Sequence, residues 1–169
     1  NAVDLPYEYD LEKTLKENPW LEDEGAAFIT LTTKEDQLRG CKGSTVAHRK
    51  LYEDVILNAK SAALNDSRFL ALSKEEYDQI KVEVSILTEP KVLVYSSVCD
   101  LKSKIVPGRD GVILKYGKYQ ATFLPQVWEQ LPSFELFFSS LCKKAGMREE
   151  CLADKPEILV YQAKKYQEE

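Results

Sequence analysis

The side chains best suited to chemistry crowd into one stretch, "QLRGCKGSTVAHRKLYEDV", residues 37–55. Cys41 stands there between Gly40 and Gly43, with Arg39 and Lys42 on either side. A cysteine acts as a nucleophile or acid/base only as its thiolate, which nearby cations and a helix N-terminus favour. A partner base is also required, and His48 is the single histidine in the chain. No Cys-His-Asn or Cys-His-Asp set is identifiable. The alternative reading of Cys41 is a small buried thiol at a glycine-rich turn. On an extended backbone Arg39 and Cys41 would share a face and Lys42 would look the other way.

The same loop also reads as an anion cradle. Gly40 and Gly43 allow backbone N–H groups to converge, and Ser44 and Thr45 would open a helix whose N-terminus carries partial positive charge. Arg39 or Lys42 could complete a site for a phosphate or carboxylate, so an anionic small molecule is the expected ligand. The spacing fits neither the P-loop pattern G-x-x-x-x-G-K-[ST] nor G-x-G-x-x-G. A plain strand-to-helix turn with Ser44 as the cap would use the same donors. Arg39 has a second reading as well, an ion pair across the sheet to Glu83. Arg39, Lys42, Arg49 and Lys50 form a local basic cluster, but the chain carries a formal charge of −5, which argues against nucleic acid as the main partner.

The elements that must position this loop follow from periodicity. "DLEKTLKENPW" predicts a short helix ended by Pro19, in an otherwise acidic, irregular stretch over residues 1–24. "AAFITLTT" and "LRGC" read as a hairpin around "KEDQ", with the glycines breaking the second strand. "STVAHRKLYEDVILNAKSAALND" predicts the longest helix, capped by Ser44 or Thr45. Leu51, Val55, Ala59 and Ala62 or Ala63 form its apolar stripe, with Glu53, Asp54, Asn58 and Lys60 off that face. Ser73 and Glu76 have capping-box spacing. "KVEVSIL" alternates as a half-buried strand, and "EPKVLVY" continues it.

Further on, "CDLKSKI" predicts a short helix, "PGRDG" a turn, and "VILKYGKYQATFL" a hairpin around Gly117. "LPQVWEQL" is a helical turn in which Trp128 is a core anchor. "PSFELFFSSLCKKAG" predicts a helix from Ser133 to Gly146 with Leu136, Phe137, Leu141 and Ala145 inward. "EILVYQAKKY" is a last strand, and the terminal "AKKYQEE" reads as a frayed end. Helices and strands do not alternate regularly. The expected fold class is therefore α+β, a largely antiparallel sheet with packed helices.

These motifs resemble, in order, those of the AMMECR-type domain family. "LRGCKGS" is similar to its LRGCIG signature, residues 38–45 being the signature loop. "LYEDVILNAKSAALNDSRF", "IKVEVSILTEPK", "PGRDGVILKYGKYQATFLPQVWEQL" and "LCKKAG" match further family segments. The resemblance covers the chain from about Ala26 and is poor over residues 1–24, so residues 1–169 are expected to be a single domain. It implies an α+β fold with a larger and a smaller lobe. It also implies partners of the Memo-like or radical-SAM type, beside which such domains are encoded in bacteria. Lys42 departs from the pattern, standing where the family carries an apolar residue. The resemblance implies no biochemical activity, so the expected function is an accessory or binding module around residues 39–45. A cofactor-free thiol enzyme at Cys41 is the alternative, and nucleotide or RNA binding a third.

Composition sets outer bounds. Of 169 residues, 44% are hydrophobic and 30% charged, as in a globular domain with a sizeable core. No apolar run reaches the ~18–20 residues that span a bilayer. The opening "NAVDLPYEYD" lacks a leader pattern. Cysteines 41, 99, 142 and 151 form no CxxC pair, so neither a metal site nor a cofactor is indicated. Reduced thiols in a cytoplasmic protein are the expectation.

Overall fold

A computed structural model describes residues 10–168, so the first nine residues of the expected irregular stretch lie outside it. From Asp10 onward that stretch is ordered. The Asp10 carboxylate accepts from the Lys13 amide at 3.0 Å and caps helix α1 (Leu11–Glu17), and Pro19 opens a 3-10 turn. The chain divides into two compact units, and α1 and this turn belong to the first. The first runs through Leu87 and takes back Lys164 onward, and the second is Thr88–Ala163.

The first unit holds strands β1 (Glu24–Thr33), β2 (Leu38–Gly43) and β3 (Arg49–Lys50), helices α2 (Leu51–Leu64) and α3 (Lys74–Tyr77), and strand β4 (Ile80–Leu87). β1 pairs antiparallel with β2, β3 and β4. Cross-strand partners share a face. Ile29 and Leu31 of β1 therefore lie with Val84 and Val82 of β4, and they pack with Val55, Ala59 and Ala62 of α2 into one core. α3 carries the expected capping box: Ser73 Oγ accepts from the Glu76 amide and Glu76 Oε2 from the Ser73 amide.

The second unit holds β5 (Lys91–Val92), α4 (Val98–Lys104), β6 (Gly111–Tyr116), β7 (Tyr119–Phe123), α5 (Phe134–Lys144) and β8 (Glu157–Tyr161), its sheet ordered β5-β8-β6-β7. Gly117, at φ 56°, turns the expected hairpin. The core joins Leu101, Val112, Leu114, Trp128, Phe137, Phe138, Leu141 and Ile158. Trp128 stacks on Phe137 at 3.7 Å and donates its indole N–H to the carbonyl of Asp110. Burying each such large side chain contributes about 1.5–3 kcal/mol.

Several expectations are corrected. The inward stripe of α5 is Phe134, Phe137, Phe138, Leu141 and Cys142, while Leu136 is 53% exposed. "EPKVLVY" forms strand only at Lys91–Val92. "EILVYQAKKY" is two strands, and the end expected to fray is β9 (Ala163–Gln167), which lies beside β4 in the first sheet. The strands thus form two sheets within the α+β class. Cys142 and Cys151 are fully buried and disulfide-bonded, with Cα atoms 5.8 Å apart. Only Cys41 and Cys99 are free, which withdraws the thiol argument for a cytoplasmic location. Among the described residues no helix is long and apolar enough to cross a membrane.

Candidate functional site

The signature lies in a strand where a broken turn was expected. β2 continues through both glycines to Gly43, for reasons that are steric. Gly40 faces α2 opposite Leu31, and a Cβ there would sit 2.3 Å from the carbonyl oxygen of Ala62. A Cβ on Gly43 would enter the ring of Phe28 at 2.2 Å. Such approaches exclude any larger residue unless the backbone or the ring moves. Between Gly40, which pairs with Leu31, and Leu38, which pairs with Thr32, Arg39 is an extra residue. It forms a β-bulge, a device that re-aims a side chain away from the regular ladder.

That re-aiming decides the fate of Arg39. It does not pair with Glu83. Its Nε donates to Glu76 Oε1 at 2.9 Å and its Nη2 to Glu76 Oε2 at 3.1 Å, a bidentate fork. Nη2 also donates to the carbonyl of Leu70 at 2.9 Å. The Arg39 bond, followed by the Ser73 amide, pulls the Glu76 carboxyl down to about 2. Nη1 of Arg39 is buried without a hydrogen-bond partner.

Cys41 is half-buried. Its row on the sheet, Thr30–Cys41 and Thr30–Glu83, is on the face away from α2, and Thr30 Oγ1 lies 3.6 Å from its sulfur. Its backbone N–H donates to Asp66 Oδ2 at 2.9 Å. The Arg68 guanidinium, then this N–H, hold the Asp66 carboxyl below the usual carboxylate range. Lys42 pairs with Ile29 on the α2 face, where the family's apolar residue would pack.

The expected helix N-terminus is not at the loop. α2 starts at Leu51, whose amide donates to the Asp23 carbonyl, and residues 44–48 are irregular. Ser44 is no cap: its hydroxyl donates to Asp54 Oδ1 at 2.7 Å. Thr45 caps nothing either, since the helix cap is Lys50, without a side-chain bond. Asp54 and Asn58, expected on the solvent face of α2, are buried, Asp54 fully. Asp54 Oδ2 accepts from the Ala27 amide at 2.9 Å and from Asn58 at 3.0 Å. Arg49 Nε lies 3.0 Å from Asp54 Oδ1 without hydrogen-bond alignment, so that contact is an ion pair alone. His48 is outside the helix and exposed, with Nδ1 3.0 Å from the Val46 carbonyl.

Of the predicted site residues, Arg39, Gly40, Cys41, Lys42 and Gly43 thus share one strand, while Ser44 is turned into the buried Asp54 network. Sequence reasoning missed Asp54, Asn58, Asp66 and Glu76. The capping-box spacing flagged Glu76 for another role, and nothing in the local pattern flagged the rest. Beside the bulge lies a cavity of about 140 Å³ lined by Thr33, Lys34, Glu35, Arg39, Glu76, Gln79 and Ile80.

This chain is similar to proteins in other organisms over most of its length. It is 35% identical to a protein of Nanoarchaeum equitans, with 96% of this chain and 90% of that protein aligned. It is 40% identical to a Sulfolobus acidocaldarius protein, with 79% of this chain and 61% of that one aligned. The crystal structure of an uncharacterised protein from Pyrococcus horikoshii superposes with a TM-score of 0.79 at 33% identity, over 89% of this chain and 77% of that one. The family model described as AMMECR1 matches residues 5–166, the glycine-shaped strand and its bulged arginine among them, and the chain belongs to that family.

Proposed function

We propose that the signature strand serves a binding module rather than a catalytic centre, and that its small ligand enters the cavity beside Arg39. The cavity at the bulge, walled by the Arg39–Glu76 pair, carries this reading. A small polar molecule entering it would meet side chains of both signs, Arg39 and Lys34 against Glu76 and Glu35.

The surroundings of Cys41 support binding over catalysis. Among the described residues its sulfur has one side-chain hydrogen-bond contact, the hydroxyl of Thr30 at 3.6 Å, and His48 bonds to its own loop. Three of the four cations expected to gather an anion are matched instead: Arg39 by Glu76, Arg49 by Asp54 and Lys50 by Glu22. That pairing weakens the phosphate-cradle and nucleic-acid readings together.

A thermal-shift screen of small carboxylates, amides, amino acids and phosphates tests the proposal. Stabilisation of the wild type by a screened compound, abolished in Arg39→Lys, is the expected outcome. Lysine keeps a charge for Glu76 but lacks the forked donors. If no compound stabilises the protein, or if Arg39→Lys responds like the wild type, the cavity is not the site.

A further inference from the structure

We infer that the outer edge of β5 is a self-association site, where a second copy of this chain pairs antiparallel about a two-fold axis through Val92. β5 is an edge strand of the second unit's sheet, in the order β5-β8-β6-β7. The segment "EPKVLVY" has the composition of a longer strand, yet only Lys91–Val92 is strand. Leu93 packs on the core and Tyr95 is buried. The side chains between and before them are also apolar: Val92 is 59% exposed and Val94 79%. A strand apolar on both faces suits a place where both are covered, and an open edge is a template for another chain.

The backbone decides what can cover it. The Leu93 amide donates to the Ile158 carbonyl at 2.8 Å, and Lys91 and Val92 stand opposite Val160 and Leu159. Polar groups alternate sides along an antiparallel strand. The amides of Val92 and Val94 and the carbonyls of Pro90, Val92 and Val94 therefore look away from β8. Among the described residues, one of these five groups has a partner: the Val94 carbonyl accepts from Lys104 Nζ at 2.8 Å. Two donors and two acceptors remain.

A second copy in the register Val92 to Val92 uses all four. Each Val92 amide donates to the other Val92 carbonyl, and each Val94 amide donates to the other Pro90 carbonyl. The bond this register lacks is one from residue 90 to the Val94 carbonyl, because proline has no N–H. That carbonyl is the one Lys104 holds. A strand of another sequence would bring an amide there and compete with Lys104, whereas a second copy leaves nothing unpaired.

Side chains and charge fit the same register. Val92 meets Val92 of the second copy and carries the row Val92–Leu159–Ile113 across the axis. Lys91, on the other face, lays its stem along Leu93 of the second copy and keeps its ammonium in water. Glu89 is exposed and, among the described residues, has no ion-pair partner. It comes opposite Tyr95 of the second copy, one residue past the carbonyl that Lys104 binds, so each end of the contact sets a carboxylate toward an ammonium. The second unit carries ten Lys and Arg against nine Asp and Glu, so its copies do not repel one another. The contact is small beside the roughly 800 Å² per partner of a standard interface, so the dimer depends on concentration.

Sedimentation equilibrium of the full chain from about 1 µM to about 1 mM tests this, with amide exchange followed by NMR at high and low concentration. The mass should rise toward that of a dimer, and the Val92 and Val94 amides should gain protection with it. The Leu93 amide, bonded to Ile158, should be protected at both concentrations. Val92→Pro removes an amide that faces outward, which an edge strand tolerates. It should weaken association by about tenfold or more, because two bonds of the dimer go, while Leu93 protection reports an intact β5–β8 ladder. Glu89→Lys should also weaken it, by turning the attraction to Lys104 into repulsion, and it decides the matter if Val92→Pro disturbs the strand. A monomer throughout the range leaves the edge to a strand of another protein and overturns the proposal. A dimer in which Val92 and Val94 stay unprotected, or which both variants leave unchanged, overturns it as well by placing the association on another surface.

Discussion

Arg39 and Glu76 concentrate the behaviour of the signature at the scale of single residues. Arginine at the bulge holds three things at once: the carboxylate of the α3 capping box, the carbonyl of Leu70 and the wall of the cavity. Because Glu76 is depressed from 4.5 to about 2 in the fold, the sign of its pH effect is fixed. Its contribution to stability is complete above pH 4.5 and is lost as pH falls through about 2. Urea midpoints across that range should show wild type above Glu76→Gln by a constant margin above pH 4.5, with the margin closing in more acidic solution. A margin that ignores pH would mean that the fork to Arg39 contributes no charge-dependent stability. Gly40 is the other decisive residue. Gly40→Ala drives a methyl into the Ala62 carbonyl and should destabilise by about 1–3 kcal/mol through overpacking, read as a lower urea midpoint with the slope unchanged.

Elements show where sequence patterns succeed and why they stop. The Gly117 hairpin, the Ser73 capping box and the Ser133 cap of α5 rest on local chemistry, and each is present in the structure. The start of α2 was illegible because Ser44 and Thr45 look like caps. The hydroxyl of Ser44 instead answers a carboxylate ten residues on, a tertiary contact with no local trace. Asp54 and Asn58, at i, i+4 spacing, look like a solvent face, yet they receive the Ala27 amide and cover its carbonyl from inside. For the candidate site, the motif located the strand, but the bulge and the partners Asp66 and Glu76 needed three-dimensional register. Asp54→Ala would leave the Ala27 amide and the Ser44 hydroxyl without their acceptor and Arg49 without its counter-charge. It should cost about 3–5 kcal/mol, lowering the melting temperature by roughly 6–20 °C. In the second unit, the Cys142–Cys151 bond ties α5 to the following 3-10 turn. Thiol titration of denatured, unreduced protein should count two thiols, Cys41 and Cys99, where four would refute the bond. Cutting the bond with a Cys142→Ser/Cys151→Ser pair should destabilise by roughly 2–4 kcal/mol.

At the scale of the whole molecule, the chain leaves its first unit at Leu87 and re-enters it at Lys164, so the sheet that carries the signature is completed by a strand that follows the second unit. In the order β2-β1-β4-β9, the β1–β2 pair is a local hairpin while β9 reaches β4 only after the whole of the second unit has intervened in the chain. Glu168 seals that edge: its amide donates to the Val82 carbonyl at 3.0 Å, and its carboxylate accepts from the Val82 amide at 3.3 Å. β4 in turn packs Val82 and Val84 against the core beneath the signature strand. The sheet of the second unit closes its ladders within Thr88–Ala163, through β5–β8, β8–β6 and β6–β7. A chain ended at Gln162 should therefore lose amide-exchange protection in β4, at Val82 first, because its outer edge is returned to water. Ile113 and Leu159, paired to each other inside the second unit, should keep theirs. Protection retained at Val82 would show that β9 does not hold the edge, and protection lost equally at Ile113 and Leu159 would show that the second sheet does not stand on its own ladders. The first sheet would then also report on the site, since an unprotected β4 loosens Ile80, a wall of the cavity beside Arg39, and should weaken any ligand bound there.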